Sequence, residues 1–470
     1  MPSSLYSFSY EQNPGWSRIL PSKDELWAYL DNVALKYDLK RKMSFNMQVE
    51  RCEWIEESAR WRMTIRQLKP GAILKHECQF LFCASGQLAK PRDFDIPGSD
   101  TFTGDMFHTA RWPSNVDLHD KNVVVFGNGC TAAQVVPSIV RDTKSLTQFV
   151  RSKHWILPPI DGKIRGWARV LLRWVPGLMG LQRLVIFLVA EYSLRGFPLT
   201  EAARRFRAGQ RVKAERYMRS TAPEEYHDLL IPDFEVGCKR RIFDSGYLQS
   251  LHEDNLTLTN EKVLEIVSKG VRTEKGVVEA DVVILANGFV TNDFLIGIDV
   301  RGFGGKTLEE HWESFGGVEA YNCSVLSSFP NMFILLGPNA ATGHTSAILA
   351  SENSVNYALR VIKPVLEGRS SIASLKWDAE KQYSDRIQAA LRNTVWNSGC
   401  QSWYVKKAND GSETTWNAMS YPWSQAHFWY RSKFPVWADW EYRVSGPLPV
   451  CLLGMIARLL LTSLLAGPSQ

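Results

Sequence analysis

The residues best suited to bind a nucleotide form a glycine-rich turn. Residues 121–126 (KNVVVF) read as a buried parallel strand, and residues 134–140 read as an apolar helical segment. Between them stands G-x-G-x-x-A, in which the first glycine allows a tight turn and the second lets the backbone approach a pyrophosphate. The small third residue packs helix on strand. We therefore predict a dinucleotide site formed by Gly127, Asn128, Gly129, Cys130, Thr131, Ala132 and Ala133.

A short basic segment follows the next predicted strand, residues 146–150. An NAD site would place a carboxylate here for the ribose hydroxyls, but this chain has Arg151-Ser152-Lys153. A cation favours the 2′-phosphate of NADP. We expect Arg151 and Ser152 to contact that phosphate, and a solvated basic loop remains the alternative.

Upstream of the turn lies a patterned segment, F-x-G-x-x-x-H-x-x-x-W-P, whose fixed positions include Phe102, Gly104, His108 and Trp112. From the residues alone it is a linker with a hydrogen-bonded histidine. The pattern resembles the fingerprint of the type I Baeyer–Villiger monooxygenases at every fixed position. Related flavin-containing monooxygenases usually carry Tyr or Phe near the last place, so Trp112 favours the Baeyer–Villiger branch. The resemblance implies a hinge between two nucleotide domains, with His108 in a structural and dynamic role.

Other stretches extend the resemblance along nearly the whole chain, and its character is that of fungal secondary-metabolism enzymes. Residues 5–10 (LYSFSY) resemble the family's Y-S-F-S-F stretch, 84–86 (ASG) and 286–288 (ANG) its two A-T-G motifs, and 337–344 its late flavin-domain loop. Ser85 and Asn287 depart from the pattern. The resemblance implies FAD and NADP(H) as cofactors, with Tyr6 and Val49 among the cofactor-binding residues.

The family's catalytic arginine follows a lysine, and this role carries over to Arg240, with Arg241 as the fallback. A guanidinium stays charged at any physiological pH and can hold the negative charge that develops during oxygen insertion. Without the resemblance, the pair would be read as surface residues that form salt bridges.

The resemblance implies a monooxygenase that uses NADPH and FAD to insert one oxygen of O₂ beside a ketone, with a bulky apolar ketone as substrate. Two alternatives remain open: oxygenation at N or S, and a non-catalytic NADP-binding remnant. The remnant is considered because the family's first strand, first G-x-G-x-x-G and G-G-T-W loop have no counterpart before Leu5. The sequence therefore predicts a flavin domain truncated at its N-terminus, in either an incomplete product or a shortened paralogue.

These segments predict an α/β fold of two interleaved, doubly wound, Rossmann-like domains with a helical insertion. The predicted FAD-binding domain comprises residues 1–112 and 280–446. The NADP-binding domain is 113–279, with the insertion at 160–230, and 447–470 form an apolar C-terminal segment. A helix is expected at 21–37, and the pattern of a β meander followed by a buried strand occurs twice.

Composition excludes several classes of protein. The chain has 470 residues, a net charge of +6 and 45% hydrophobic residues, which excludes disordered and coiled-coil chains. Its eight cysteines fall singly and form no C-x-x-C, so we predict no metal site and a reducing, cytoplasmic location. The basic run 204–219 favours a solvated face over a nucleic-acid surface. Peripheral membrane contact through 448–466 is left open, whereas 170–190 are expected to be an amphipathic or buried helix.

Overall fold

The computed structural model describes residues 2–291, 293–400, 402–407 and 415–444. The predicted apolar segment at 447–470 lies outside these residues. The helices are α1 Lys23–Lys36, α2 Ala132–Ile139, α3 Gly166–Trp174, α4 Leu178–Tyr192, α5 Glu201–Thr221, α6 His227–Leu230, α7 Tyr247–Ser250, α8 Leu308–Phe315, α9 Ala347–Val361, α10 Lys363–Leu366, α11 Trp377–Arg392 and α12 Gln425–Lys433.

The strands are short. They are β1 Met47–Ile55, β2 Arg60–Gln67, β3 Ile73–Cys78, β4 Leu81–Cys83, β5 Lys90–Pro91, β6 Asp105–His108, β7 Asn122–Phe126, β8 Ser145–Phe149, β9 Ile156–Leu157, β10 Ile242–Phe243, β11 Leu256–Thr259, β12 Val263–Val267, β13 Gly270–Thr273, β14 Val277–Glu279, β15 Val282–Leu285, β16 Phe289–Val290, β17 Asp299–Arg301, β18 Met332–Ile334, β19 Ile372–Leu375, β20 Lys406–Lys407, β21 Thr415–Trp416 and β22 Trp440–Arg443.

The dinucleotide half is built on a five-stranded parallel sheet in the order β11-β8-β7-β15-β6. Side chains alternate along β7. Val123 and Val125 pack with helix α2 on one face, whereas Val124 and Phe126 pack with the meander β12–β14 on the other. Strands β6 and β15 both belong to this sheet, so it extends on either side beyond the predicted limits of 113–279.

The half expected to bind the flavin contains the largest apolar cluster, and its strands form several small sheets. Strands β1, β2 and β3 form an antiparallel meander, and β17 pairs with β1 in parallel. Strand β4 pairs in parallel with β18 and, among the described residues, with no other strand.

Each half repeats one arrangement, as the sequence predicts. The meander β1–β3 leads into the parallel strand β4, and the meander β12–β14 leads into β15. The sequence does not indicate strand β3, because residues 73–78 (ILKHEC) are mostly exposed and show little alternation of apolar and polar residues.

Helices α3 to α6 occupy 166–230, inside the range predicted for the insertion. The expectation that 170–190 are a single amphipathic or buried helix is wrong in part. Two helices form there, neither buries a residue, and the apolar side chains of α4 face outward. No single described helix is long and apolar enough to cross a bilayer. Helix α3 together with 178–196 forms a pair, bent by 111°, that meets the criteria of length and composition.

The cysteines do not all stand alone. Cys238 and Cys400 form a disulfide with a Cα–Cα distance of 6.2 Å across a sequence separation of 162 residues. The cysteines fall singly in the sequence, so their spacing gives no indication of this pairing.

Candidate active site

The glycine-rich turn follows β7 as predicted, and its two glycines have different reasons to lack a side chain. Gly127 adopts a φ of 114°, and a Cβ atom there would lie 2.4 Å from the carbonyl oxygen of Ala286. Gly129 has an ordinary φ and open space, because a Cβ atom there would meet nothing within 4 Å. The first glycine therefore serves the fold, and the second keeps the approach to the turn free.

The start of helix α2 faces this open space. The N–H of Ala133 donates to Gly129 O at 3.1 Å, and Thr131 supplies no side-chain cap. Uncapped N–H groups at a helix N-terminus attract an anion. The side-chain amide of Asn128 donates to Ser152 O, which ties the turn to the segment after β8. The turn, the helix N-terminus and the space before Gly129 together fit a dinucleotide pyrophosphate.

Two cations converge at the end of β8. Burial lowers the pKa of Lys239, and the positive charge of the nearby Arg151 lowers it further. Lys239 is almost buried, with its ammonium 4.9 Å from the ring centre of Phe234. Burial lowers the pKa of His154 to about 4, and the positive charge of Lys239 contributes to this shift. This positive cluster suits a phosphate, and sequence reasoning found Arg151 and Ser152 but missed Lys239.

Arg240 stands where the two halves meet. Its side chain is exposed to solvent, although protein surrounds much of it, which places it in a cleft. Burial alone would lower its pKa, but nearby Cys130, Tyr404 and Tyr6 raise the pKa above its usual value. Cys130 belongs to the dinucleotide turn and Tyr6 to the flavin-side stretch. The structure thus brings three sequence-predicted residues together and adds Tyr404.

The neighbouring Arg241 has a different environment. Its guanidinium donates to the side-chain oxygen of Gln210 at 3.4 Å, and burial lowers its pKa. Because Arg241 is engaged with helix α5 of the insertion, Arg240 is the better candidate for the reacting group.

The disulfide positions Arg240 and Tyr404 relative to each other. Cys238 lies two residues before Arg240, and Cys400 lies four residues before Tyr404. Tyr404 is buried, and its ring lies 4.2 Å from that of Trp403. The crosslink therefore holds two segments distant in sequence on either side of the cleft.

The fingerprint segment forms the connection between the halves. The N–H of Ala110 donates to Nδ1 of His108 at 3.0 Å, which leaves Nε2–H to donate to Gly288 O at 3.0 Å. Burial lowers the pKa of His108, so the neutral ring is favoured. His108 thus links the first crossing between the halves to the second, in agreement with a structural role.

Close packing explains the other fixed positions of the fingerprint. A Cβ atom at Gly104 would lie 2.1 Å from Asp281 O and 2.8 Å from the ring of Phe102. The ring of Trp112 packs edge-on against Phe107 at 5.0 Å. These contacts hold β6 beside β15, so the two crossings lie against each other.

On the side expected to hold the flavin, the first A-x-G turn borders a small cavity. A cavity of about 200 Å³ lies between the first A-x-G turn and the fingerprint, lined in part by Ser85, Gly86 and Arg111. Val49 lies in β1 and packs on the apolar cluster of this half, and no observed contact brings it to Arg240. The described residues contain no second glycine-rich strand-to-helix turn.

The insertion is fastened to the late flavin-domain loop through a buried pair. Nε2 of His344 lies 2.7 Å from Oε1 of Glu191 on α4, and the same carboxylate accepts from the N–H of Gln425 at 3.0 Å. Burial opposes ionisation of Glu191, but the bond to His344 lowers its pKa overall. Sequence reasoning missed this contact because its partners are separated by 153 residues.

A second buried polar cluster was also missed. Nε2 of His311 lies 3.0 Å from Glu380 and 3.5 Å from Glu319, and all three side chains are buried. Burial and the charge of Glu380 raise the pKa of Glu319 well above its usual value, so Glu319 retains its proton. One nitrogen or oxygen atom from each of the three side chains lies within 4.8 Å of the others, so a proton on Glu319 avoids placing two buried negative charges side by side.

Comparison with known sequences identifies relatives along almost the full chain, although no family model matches it. A protein of Aspergillus niger named FAD-binding monooxygenase ktnD is 31% identical over 462 residues, covering 95% of this chain and 74% of the relative. A protein of Streptomyces coelicolor named Baeyer–Villiger monooxygenase is 32% identical over 454 residues, covering 96% and 84%.

Solved structures share the fold. Cyclohexanone monooxygenase from Rhodococcus bound to NADP⁺ superposes with a TM-score of 0.81 at 22% identity, covering 94% of this chain and 90% of that one. The OTEMO complex with FAD and NADP gives 0.79 at 21% identity, covering 94% and 89%. The predicted fold of two dinucleotide-binding domains is confirmed. Given the fingerprint, the turn and the relatives above 30% identity, the chain belongs to the family of FAD-binding Baeyer–Villiger monooxygenases.

Proposed function

We propose that the chain is an NADPH- and FAD-dependent monooxygenase that inserts one oxygen of O₂ beside the carbonyl of a ketone, giving an ester or lactone. The observation that carries this proposal is the position of Arg240, exposed in a cleft near Cys130 of the dinucleotide turn and Tyr6 of the flavin-side stretch. The substrate class is a bulky apolar ketone of a secondary-metabolite pathway, by analogy with fungal relatives such as ktnD.

The dinucleotide turn would hold the NADPH pyrophosphate against Gly129 and the N-terminus of α2. Arg151 and Lys239 would hold the 2′-phosphate, because two cations that repel each other gain when an anion lies between them. When bound, NADPH supplies a hydride and the flavin supplies the activated oxygen.

Arg240 would stabilise negative charge that appears on oxygen as the new C–O bond forms. Its raised pKa keeps the guanidinium charged throughout, and its exposure in the cleft leaves its N–H donors free for ligand atoms. The disulfide between Cys238 and Cys400 would limit movement of this cation relative to Tyr404.

Replacing Arg240 tests the proposal. The purified chain with FAD and NADPH is incubated with a panel of apolar ketones, and products are identified by mass spectrometry. Arg240→Ala should abolish ester formation while NADPH still reduces the flavin. Arg205→Ala is the matched control, because this arginine lies on α5 and its side chain is largely exposed. Normal ester formation by Arg240→Ala would overturn the assignment. The panel also includes ketones that carry an amine or a thioether, and oxygen on N or S in place of an ester would show that the reaction type is wrong.

The alternative function is binding of NADP(H) without flavin. Among the described residues β4 pairs with β18 alone, so uptake of FAD is the property to test. The purified chain is incubated with FAD and desalted, and its absorbance is recorded. Bands of oxidised flavin favour the monooxygenase. A colourless chain that still binds NADPH favours the second candidate.

A further inference from the structure

Helices α3 and α4 expose an unusually large apolar surface. We call it the α3–α4 face, and it consists of Trp167, Val170, Leu171, Trp174, Leu181, Leu184, Val185, Leu188, Val189 and Tyr192. The exposed fraction reaches 75% at Trp174 and 69% at Val189. Soluble proteins tolerate single exposed apolar residues, but a contiguous patch of this kind marks an interaction surface.

The pattern along α4 is inverted relative to that of a helix on a water-facing surface. Its exposed residues recur at helical spacing from Leu181 to Tyr192, and all of them are apolar or aromatic. The charged residues of α4 point inward. Arg183 donates to the carbonyl oxygens of Ser4 and Ser7 at 2.7 and 2.6 Å, and Glu191 accepts from His344 and from the N–H of Gln425. Such an arrangement suits a helix whose outer surroundings are less polar than its inner ones.

Helix α3 adds positive charge at the border of this face. Arg165, the residue just before α3, and Arg169 and Arg173 within it recur every four residues and are exposed. Trp167, Leu171 and Trp174 lie on the other side of the helix. None of the three arginines forms an ion pair with another described residue. An amphipathic helix with Trp on one side and unpaired Arg on the other matches the boundary between lipid acyl chains and anionic headgroups.

We propose that the α3–α4 face docks on the surface of a lipid bilayer that contains anionic lipids. The apolar side chains enter the acyl region to a depth of about 5–10 Å, and the arginines of α3 contact phosphate groups. Because the two helices are bent by 111° relative to each other, they suit a contact with the bilayer surface better than a crossing of the bilayer. The proposal does not depend on the chemistry of the cleft, and it differs from anchoring through 448–466.

The test is co-sedimentation of the full chain with vesicles of phosphatidylcholine alone and of phosphatidylcholine with phosphatidylserine. Wild type should pellet with the anionic vesicles and more weakly with the neutral ones. Leu184→Gln together with Leu188→Gln should lower the partition coefficient about tenfold. Replacing the three arginines of α3 by Gln should remove the preference for phosphatidylserine.

Matched controls exist elsewhere in the chain. Leu359→Gln with Leu366→Gln changes two leucines on α9 and α10 that are 50% and 59% exposed, against 51% and 56% for Leu184 and Leu188. The control variant should bind vesicles like wild type, and NADPH binding checks the fold of every variant. The proposal would be overturned if wild type pelleted with neither kind of vesicle, or if the Leu184/Leu188 variant bound vesicles as strongly as wild type. A dimer in vesicle-free solution that this variant dissociates would also overturn it, by assigning the face to a second copy.

Discussion

The two glycines of the dinucleotide turn make a paired prediction, because the structure gives them separate tasks. Gly127→Ala places a side chain on a residue with φ of 114° and puts Cβ 2.4 Å from a backbone oxygen. Such strain costs about 1–3 kcal/mol in the folded state. At roughly 2–4 °C per kcal/mol, the melting temperature of the dinucleotide half should fall by about 2–12 °C.

Gly129→Ala should act differently. The new methyl group meets no protein atom within 4 Å and requires no unusual φ, so the melting temperature without ligand should stay near that of wild type. The methyl group occupies the space through which a pyrophosphate must approach the turn. We expect the Kd for NADPH to rise by about tenfold or more, equivalent to about 1.4 kcal/mol.

The assay is thermal unfolding of both variants with and without NADPH, together with a fluorescence titration of the nucleotide. Wild type should be stabilised by saturating NADPH, whereas Gly129→Ala should lose most of that shift at the same concentration. The reasoning would be refuted if Gly129→Ala bound NADPH like wild type. It would also fail if Gly127→Ala melted at the wild-type temperature, because the clash with Ala286 would then be absent.

Three further predictions concern the surrounding structure. Arg151→Gln should weaken NADPH about tenfold while leaving NADH affinity unchanged; equal losses for both nucleotides in competition binding would contradict it. Glu319 keeps its proton when folded, so wild-type stability should fall as pH rises from about 4.5 through the raised pKa. Glu319→Gln should remove this dependence. The free energy of unfolding of the variant relative to wild type should therefore rise by up to about 1.4 kcal/mol per pH unit in that window. Parallel pH profiles in urea unfolding would argue against a buried proton. Peptide mapping without reductant should recover Cys238 joined to Cys400; two free thiols would disprove the crosslink.

The local features of the site were predictable because they depend on neighbours in sequence. A strand, a turn needing two glycines and a helix follow one another within 121–140, and the turn forms as expected. The helix expected at 21–37 is observed as α1, with Ser22 accepting from the N–H of Glu25. The carboxylate of Glu25 accepts from the N–H and the hydroxyl of Ser17, and not from the backbone of Ser22.

The missed features all depend on contacts between distant segments. The spacing of apolar residues in α4 shows that one side of the helix is apolar, but not which side meets the protein. The orientation of the helix depends on contacts with distant residues. On the inner side, Ser4 O accepts a hydrogen bond from Arg183, and His344 forms a hydrogen bond with Glu191. Lys239 likewise comes near Arg151 because β10, which follows Lys239 in the chain, pairs with β9, which follows β8.

The central claim is oxygen insertion at a carbonyl, and the most direct measurement follows the oxygen atom. The chain, supplied with FAD and NADPH, is incubated with an apolar ketone under ¹⁸O₂, and the product is analysed by mass spectrometry. The account predicts an ester or lactone that carries one labelled oxygen and is absent with Arg240→Ala. An unlabelled ester, or NADPH binding with no oxygenated product from any ketone of the panel, would contradict it.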